Sequence, residues 1–448
     1  MSILNWKDQY NSKKTSYEEA AKCVKSGDFI TTPLAVGACS GQMLDAIIDR
    51  HEELKDVIIS DSLQIYPSKL YDPKLMAELD GRITYAPVFG IVTIRKMHAT
   101  KVADYYQATT GDCADRYGER SNVIALMVSA PNAHGYVNLG PVCFYTADSI
   151  RYGRARGNLR TVIAEVNDQM PIVYGDNWMH VSEFDMIIER SQPIPTFKRG
   201  DATEVEKAIG DYVLELINDG DTIQMGLGGI TEAVAAGLEG KKNLGILTEM
   251  LPQVLPQLIE KGIVDNSRKP LYKGISVASF CLGNQELYDF INENPSCQIF
   301  PGSYTNDPRF IAQHPNVVAM NTSLMIDFSG QSTAEAIGHT QISGVGGQLE
   351  FITGAYWSDG GKPINMLSAA RTNPDGSLTS AIVPELPPGT PVSVPRMFTD
   401  YVITEYGVAR LRYKSRRERA LELISIAHPD LRAELKDSLK TRFYPGGK

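Results

Sequence analysis

Apolar and polar positions along this chain switch between a helical period and short apolar runs, and the switching falls into the same order twice. The first instance is "SYEEAAKCVKSGDFITTPLAVGACSGQMLDAII" (16–48) and the second is "ATEVEKAIGDYVLELINDGDTIQMGLGGITEAVAAGL" (202–238). Each predicts an amphipathic helix, a Gly-Asp turn (Gly27-Asp28, Gly220-Asp221), a short strand, a loop of small residues and a second helix. A further apolar strand follows behind charged residues, "KDVIIS" (55–60) and "KNLGILTE" (242–249). Helix, turn, strand, loop, helix, strand is a unit of an α/β fold, and its recurrence predicts two related open α/β domains made by internal duplication. The stretch "RSQPIPTFKRGD" (190–201), with two prolines and a basic turn, places the boundary between a domain of residues 1–190 and one of residues 191–448.

Composition narrows the function. With 448 residues, 43% of them apolar, the chain is long enough for two or three domains with a large core. Its net charge is −9 and it carries no lysine/arginine stripe, which argues against a nucleic-acid partner. The densest basic cluster, "RYKSRRERA" (412–420), alternates with polar residues and reads as a solvated face. The N-terminal stretch has no apolar core of signal-peptide length, and no window approaches 18 uninterrupted apolar residues, so no membrane span is expected. Six scattered cysteines (Cys23, Cys39, Cys113, Cys143, Cys281, Cys297) without a CxxC pair fit reduced thiols and a cytoplasmic location. The seven histidines form no HExxH motif and no Cys/His cluster, so no metal site is expected.

Candidate chemistry starts from "LGILTEML" (244–251), which sets one carboxylate, Glu249, in a run that otherwise reads as a buried strand. On spacing alone Glu249 fits a solvent-facing strand end as well as a reactive group. Two glycine loops stand beside it in sequence. "QMGLGGITEAV" (224–234) joins a strand to a helix, where bare N–H donors suit an anion or pyrophosphate and a purely structural turn fits equally well. It is neither a dinucleotide fingerprint, since Thr231 stands where the third glycine belongs, nor a P-loop. "ISGVGGQLEFITGA" (342–355) has Gly344, Gly346 and Gly347 ahead of the strand-like "QLEFI", a loop able to aim N–H groups at an oxyanion. Glu232, Glu335, Glu350 and Glu405 are competing carboxylates. Glu232 is explained by a helix N-terminus and Glu405 as a buried structural partner. His134 and His180 read as loop or core histidines, with a place in a substrate pocket of the first domain as the alternative.

Taken together, these segments resemble the family I CoA-transferases of the acetyl-CoA hydrolase/transferase type, above all the 4-hydroxybutyrate and butyryl-CoA:acetate CoA-transferases. The resemblance runs through "SAPNAHGYVNLGP" (129–141), "AEVNDQMPIVYGDNWMHVSEFD" (164–185), "GLGGITEAV", "LGILTEM", "YTNDP" (304–308), "DFSGQSTAEAIGHTQISGVGGQLEFITGA" (327–355), "DYVITEYG" (400–407) and "ALELISIAHPDLR" (420–432). It implies two open α/β domains with the active site in the interdomain cleft, and a homodimer. It makes Glu249 the nucleophile, Asn306 of "YTNDP" an oxyanion-hole side chain and Gly347 the backbone donor that completes the hole. It assigns CoA contacts to Gln224, Met225, Gly226, Leu227 and Gly228, with Gly347. Two departures stand out. Leu247 replaces the family's usual histidine two residues before the glutamate, and Arg371 in "SAARTNPDGS" stands where a lysine is usual, so it takes the CoA-binding role if a cation is there at all.

The chemistry that follows needs no cofactor, with CoA entering as substrate. A carboxylate stripped of part of its hydration attacks an acyl-CoA thioester, which explains an apolar setting for Glu249. The partners are then an acyl-CoA and a small carboxylic acid. Two other readings stay open at this level: an acyl-CoA hydrolase, in which water resolves the enzyme thioester, and a non-catalytic α/β protein that senses an acyl-CoA or a sugar phosphate.

Overall fold

The computed structural model describes residues 5–90, 92–197, 200–226 and 228–443. Contacts divide the chain into two compact units. Unit 1 comprises Met1–Phe197, Val277–Thr305 and Ile342–Gly346, and unit 2 comprises Lys198–Ser276, Asn306–Gln341 and Gly347–Lys448. A single cut near residue 190 therefore does not describe the division, because two later stretches return to the first unit. The proline-rich segment does mark the first crossing; of the later ones, that at 276/277 falls inside the short strand Ser276–Ala278 and that at 305/306 at the end of the helical turn Gly302–Thr305.

Unit 1 is built on six parallel strands: β1 (Phe29–Leu34), β2 (Val57–Ser62), β3 (Ile83–Tyr85), β4 (Val123–Val128), β5 (Thr161–Asn167) and β6 (Met186–Arg190), in the order β3-β2-β1-β4-β5-β6. Every residue of β4 and β5 is buried, as expected of a parallel sheet covered on both faces. Unit 2 carries β7 (Thr222–Met225), β8 (Gly245–Ile246), β9 (Val317–Thr322), β10 (Lys362–Met366), β11 (Tyr401–Thr404) and β12 (Gly407–Arg410), in the order β8-β7-β9-β10-β11-β12. All its pairs are parallel except the terminal hairpin β11-β12. Five strands share one order, β2-β1-β4-β5-β6 and β8-β7-β9-β10-β11; unit 1 adds β3 at one edge and unit 2 adds β12 at the other.

The duplication is legible bond by bond. The helices that open the two repeats are α1 (Tyr17–Ala21) and α3 (Glu204–Leu216), and those that follow the loops are α2 (Gly41–Ile48) and α4 (Gly229–Gly237). Gly27 and Gly220 turn with φ of 81° and 83°, a left-handed backbone that glycine adopts without strain. The Gly27 N–H donates to the Lys55 carbonyl and the Gly220 N–H to that of Lys242. Asp28 accepts from the Lys25 N–H at 2.8 Å and Asp221 from the Asn218 N–H at 2.9 Å. Each aspartate also meets one cation, Arg160 at 2.7 Å and Lys362 at 2.9 Å. Each unit has its own apolar core. In unit 1 it gathers Ile30, Ile47, Ile59, Leu70 and Tyr85, and in unit 2 a cluster around Ile326, Leu367, Val402 and Leu423 packs the terminal helices. Among the described residues no helix is long and apolar enough to cross a membrane.

Candidate active site

In unit 2 the strand order reverses at β7, with β8 on one side and β9 on the other. In open α/β sheets ligands bind at the carboxyl ends of the strands beside such a reversal. Glu249 stands there. The sequence reading placed it inside a strand, but β8 ends at Ile246, and Glu249 lies three residues on, at a bend, partly exposed. The two residues between are what hold it out. Leu247 is fully buried and its N–H donates to the Ile223 carbonyl at 3.2 Å. Thr248, also fully buried, accepts from the Met225 N–H at 3.2 Å through its hydroxyl and donates that hydroxyl to the Met225 carbonyl at 3.0 Å. With Leu247 packed and Thr248 fastened to β7, the next side chain is directed outward. Leu247, the departure from the usual family histidine, thus acts as a packing residue.

The strand before it is held by a buried lysine. Lys269 donates to the carbonyls of Ile246 at 2.8 Å and Ile275 at 2.7 Å, and burial pulls its pKa down to about 7. Gly245 leaves room for it: a Cβ there would lie 2.7 Å from Lys269 Cγ.

Asn306 is fully buried, and its Nδ2 lies 3.4 Å from Glu249 Oε2 and 3.2 Å from Glu350 Oε2. Local sequence fixes it. In "NDP", Asp307 caps the short helix α5 (Pro308–Ile311) by accepting from the Arg309 N–H at 2.8 Å, and Pro308 fills the first helical position. Asn306 is the residue before that cap. Glu350 sits in the first turn of α6 (Gln348–Trp357) and is 8% exposed. The segment expected as strand-like is therefore a helix. A five-residue apolar run does not distinguish the two; here the glycine cap and the burial of Phe351, Ile352 and Ala355 along one helix decide it.

Gly347 is the N-cap of α6, with φ of −96°. Its constraint is space, not backbone: a Cβ would come within 2.1 Å of Glu249 Oε2 and 2.3 Å of Asn306 Nδ2. Glu249, Asn306 and Gly347 thus converge on one point at a helix N-terminus, where uncommitted N–H groups and the helix dipole favour negative charge. Gly344 has its own steric reason, since a Cβ there would sit 2.2 Å from the Val88 carbonyl oxygen.

The glycine loop after β7 is closed on itself. Thr231, at the position of a fingerprint's third glycine, donates its hydroxyl to the carbonyls of Gly226 at 3.1 Å and Gly228 at 2.8 Å. Gly228 needs its freedom, with φ of 142°. Gln224 and Met225 are buried, and Gln224 Oε1 accepts from Asn321 Nδ2 at 3.0 Å. Leu227 lies outside the described residues. Arg371 is exposed on a hairpin of Ala370–Thr372 with Leu378–Ser380, and no contact ties it to Glu249 among the described residues.

The competing groups are placed as follows. Glu232 is in the first turn of α4, Glu335 accepts from the Ser393 hydroxyl at 2.9 Å, and Glu405 accepts from the Ala369 N–H at 2.9 Å, a structural use. In unit 1, His134 is exposed, and His180 caps a short turn through its ring, bonded to the Ser182 hydroxyl at 2.8 Å. No group of three His, Cys, Asp or Glu among the described residues is arranged to hold a metal. Sequence reasoning missed Thr248 and Lys269 and set Glu350 aside as a mere competitor. The hydroxyl beside the glutamate was the available signal for Thr248; nothing in the sequence marks Lys269.

A partly exposed carboxylate, an amide donor and a helix N-terminus thus meet at the carboxyl edge of one sheet of a duplicated α/β fold, parts of the kind that acyl transfer requires. The chain belongs to the acetyl-CoA hydrolase/transferase family: that family's N-terminal domain profile matches residues 2–197 and its C-terminal domain profile residues 283–439. It is 36% identical over 436 residues to a succinyl-CoA:cyclohexane-1-carboxylate CoA transferase of Geobacter metallireducens, covering 97% of each chain. A 4-hydroxybutyrate coenzyme A transferase of Clostridium kluyveri is 42% identical over 322 residues, covering 72% of this chain and 73% of that one. Among solved structures, RipA from Yersinia pestis superposes with a TM-score of 0.86 at 31% identity, over 98% of this chain and all of that one. The expected class, a CoA-transferase on a duplicated α/β fold, is thereby borne out.

Proposed function

We propose that the enzyme moves CoA between a short-chain acyl-CoA (acetyl-, butyryl- or 4-hydroxybutyryl-CoA) and a small carboxylic acid, through a glutamyl-CoA thioester on Glu249. The observation that carries this reading is the convergence of Glu249 Oε2, Asn306 Nδ2 and the side-chain-free Gly347 at one helix N-terminus. In the first step a Glu249 oxygen attacks the thioester carbonyl and the C–S bond breaks, giving an acyl-glutamyl anhydride and CoA thiolate. The thiolate then attacks the glutamyl carbonyl; the bond from that carbon to the bridging oxygen breaks, and the first acid leaves as its carboxylate, keeping that oxygen. A second acid takes CoA by the reverse route. Each tetrahedral oxyanion is met by Asn306 and the Gly347 N–H, where one donor is typically worth about 3 kcal/mol. Every bond change is between carboxylate, carbonyl and thiolate, so the scheme calls on no metal, flavin or nicotinamide. Gln224 to Gly228, with Gly347 and Arg371, are assigned to CoA.

The test is chemical. Borohydride reduces a glutamyl thioester to an alcohol, so protein incubated with acetyl-CoA and then borohydride should lose activity and carry the reduced residue at Glu249. Glu249→Ala should stay folded and transfer nothing; near-normal turnover by that variant ends the assignment. A panel of acceptor acids identifies the substrate pair, and CoA release without any acceptor measures hydrolysis.

A further inference from the structure

We propose that Glu350 is a positioning residue for the transfer reaction, holding the Asn306 amide in place while Glu249 is covalently occupied. The proposal rests on the reading of Glu249 as nucleophile and Asn306 as oxyanion donor. Its starting point is the single nitrogen Asn306 Nδ2, which faces two carboxylate oxygens, Glu249 Oε2 at 3.4 Å and Glu350 Oε2 at 3.2 Å. An amide nitrogen has two N–H bonds, one for each. The bland account of Glu350 is an acid in the first turn of a helix, favoured by the dipole. A surface position would serve that purpose. Glu350 is instead 8% exposed, and a carboxylate is costly to bury unless specific donors meet it.

Asparagine presents either end of its amide with almost equal ease. Two carboxylates on one side remove that freedom, since Oδ1 turned toward them would be repelled. The spacing is set by backbone: α5, which follows Asn306, and α6, which carries Glu350, touch where a Cβ on Gly354 would lie 2.5 Å from Ile311 Cβ. During turnover the Glu249 oxygens become part of an anhydride or thioester and stop accepting strongly. Glu350 does not react, so it still holds one N–H and leaves the other fixed toward the developing oxyanion. A donor ordered before the charge appears is the kind that lowers a barrier.

The experiment compares kcat and KM for acetyl-CoA in the wild type, Glu350→Ala, Glu350→Gln, Glu350→Asp, Asn306→Ala and Asn306→Ala/Glu350→Ala, with borohydride trapping in parallel. A misplaced catalytic group typically costs up to about 100-fold, so Glu350→Ala should lower kcat roughly 10- to 100-fold with KM within about twofold. Glu350→Gln keeps an acceptor and should return to within about fivefold of wild type, whereas Glu350→Asp, one methylene short of Asn306, should lose about tenfold. In the Asn306→Ala background Glu350→Ala should cost less than about twofold, because the two act as one unit. Equal losses in both backgrounds, a Gln variant as poor as Ala, or a change confined to KM overturns the proposal. No adduct in the wild type brings down the nucleophile reading and this proposal with it; an adduct in the wild type with a silent Glu350→Ala brings down this one alone.

Discussion

Gly347→Ala is the sharpest single perturbation of the site, because the structure isolates what it would do. At φ of −96° alanine adopts this backbone without strain, so the substitution adds a methyl group and little else. That methyl would be 2.1 Å from Glu249 Oε2 and 2.3 Å from Asn306 Nδ2, where van der Waals contact needs about 3.5 Å. Relief requires one or both groups to move by roughly 1 Å or more, and a shift of that size in a reacting group costs about 100-fold. Loss of one oxyanion donor costs about 100- to 1,000-fold in kcat. The two effects are the same displacement counted twice, so kcat should fall about 100- to 1,000-fold, not by their product. Replacing glycine by alanine at an N-cap costs stability only modestly, about 1 kcal/mol. The assay is acetyl-CoA transfer to butyrate under saturating substrates, with a thermal melt as the fold control. A variant with near-normal kcat would mean that Glu249 and Asn306 do not have to occupy this point during turnover, and the site assignment would fail.

Three other outcomes test the supports behind the site. Thr248→Val leaves the buried Met225 N–H without its hydroxyl acceptor and should cost about 1–3 kcal/mol in denaturant unfolding, with kcat falling as Glu249 loses its anchor; Thr248→Ser should be close to wild type. Gly354→Ala would gain up to about 1 kcal/mol from helix propensity alone, but its methyl falls 2.5 Å from Ile311 Cβ and Cγ2, so net destabilisation of about 1–3 kcal/mol, relieved by pairing it with Ile311→Ala, is expected from melts of the three variants. Lys269 makes stability depend on pH. Burial lowers its folded pKa to about 7, while an unfolded lysine keeps its proton to about 10.4, so above pH 7 the unfolded state binds more protons. Unfolding free energy should therefore rise with pH between 7 and 10, relative to Lys269→Met, by up to about 1.4 kcal/mol per unit; parallel curves for the two proteins would refute it.

Much of this was legible in the sequence because the signals were redundant. The Gly-Asp turns, the strands after them and the small-residue loops that lead into the next helix each have a local cause, and the repeat puts every cause on view twice. Asn306 was legible only through the resemblance of "YTNDP"; the structure adds the local cause, an Asp-Pro pair that starts a helix directly after it. What stayed hidden depends on distance in the chain. Glu350 looked like one competing carboxylate among several, and "QLEFI" around it like a strand, because the contact of α6 against α5 at Gly354 and Ile311 joins residues 43 positions apart. Lys269 was invisible for the same reason: its partners are carbonyls, which every residue has.

With Glu249 as the proposed nucleophile, the repeat also explains why chemistry belongs to one copy. The matched bonds of Lys55 with Gly27 and Lys242 with Gly220 continue three residues on, where Ile58 and Gly245 donate to Asp28 and Asp221. Followed four residues further, Glu249 falls opposite Ser62, and Thr248 opposite Asp61. Unit 1 therefore also has a carboxylate beside its second strand's end, but one position earlier, and in a strand one position turns a side chain to the other face. Asp61 is fully buried and accepts from the hydroxyls of Tyr71 at 2.8 Å and Tyr85 at 2.7 Å; burial pushes its pKa up to about 6, against the pull of those bonds. A carboxylate committed to two tyrosines inside its own core is not presented to a substrate. In unit 2 the inward position is filled by Thr248, whose hydroxyl is satisfied by the backbone of β7, and the acid is moved out to the bend. One residue of register separates an acid that serves the core from one placed for chemistry.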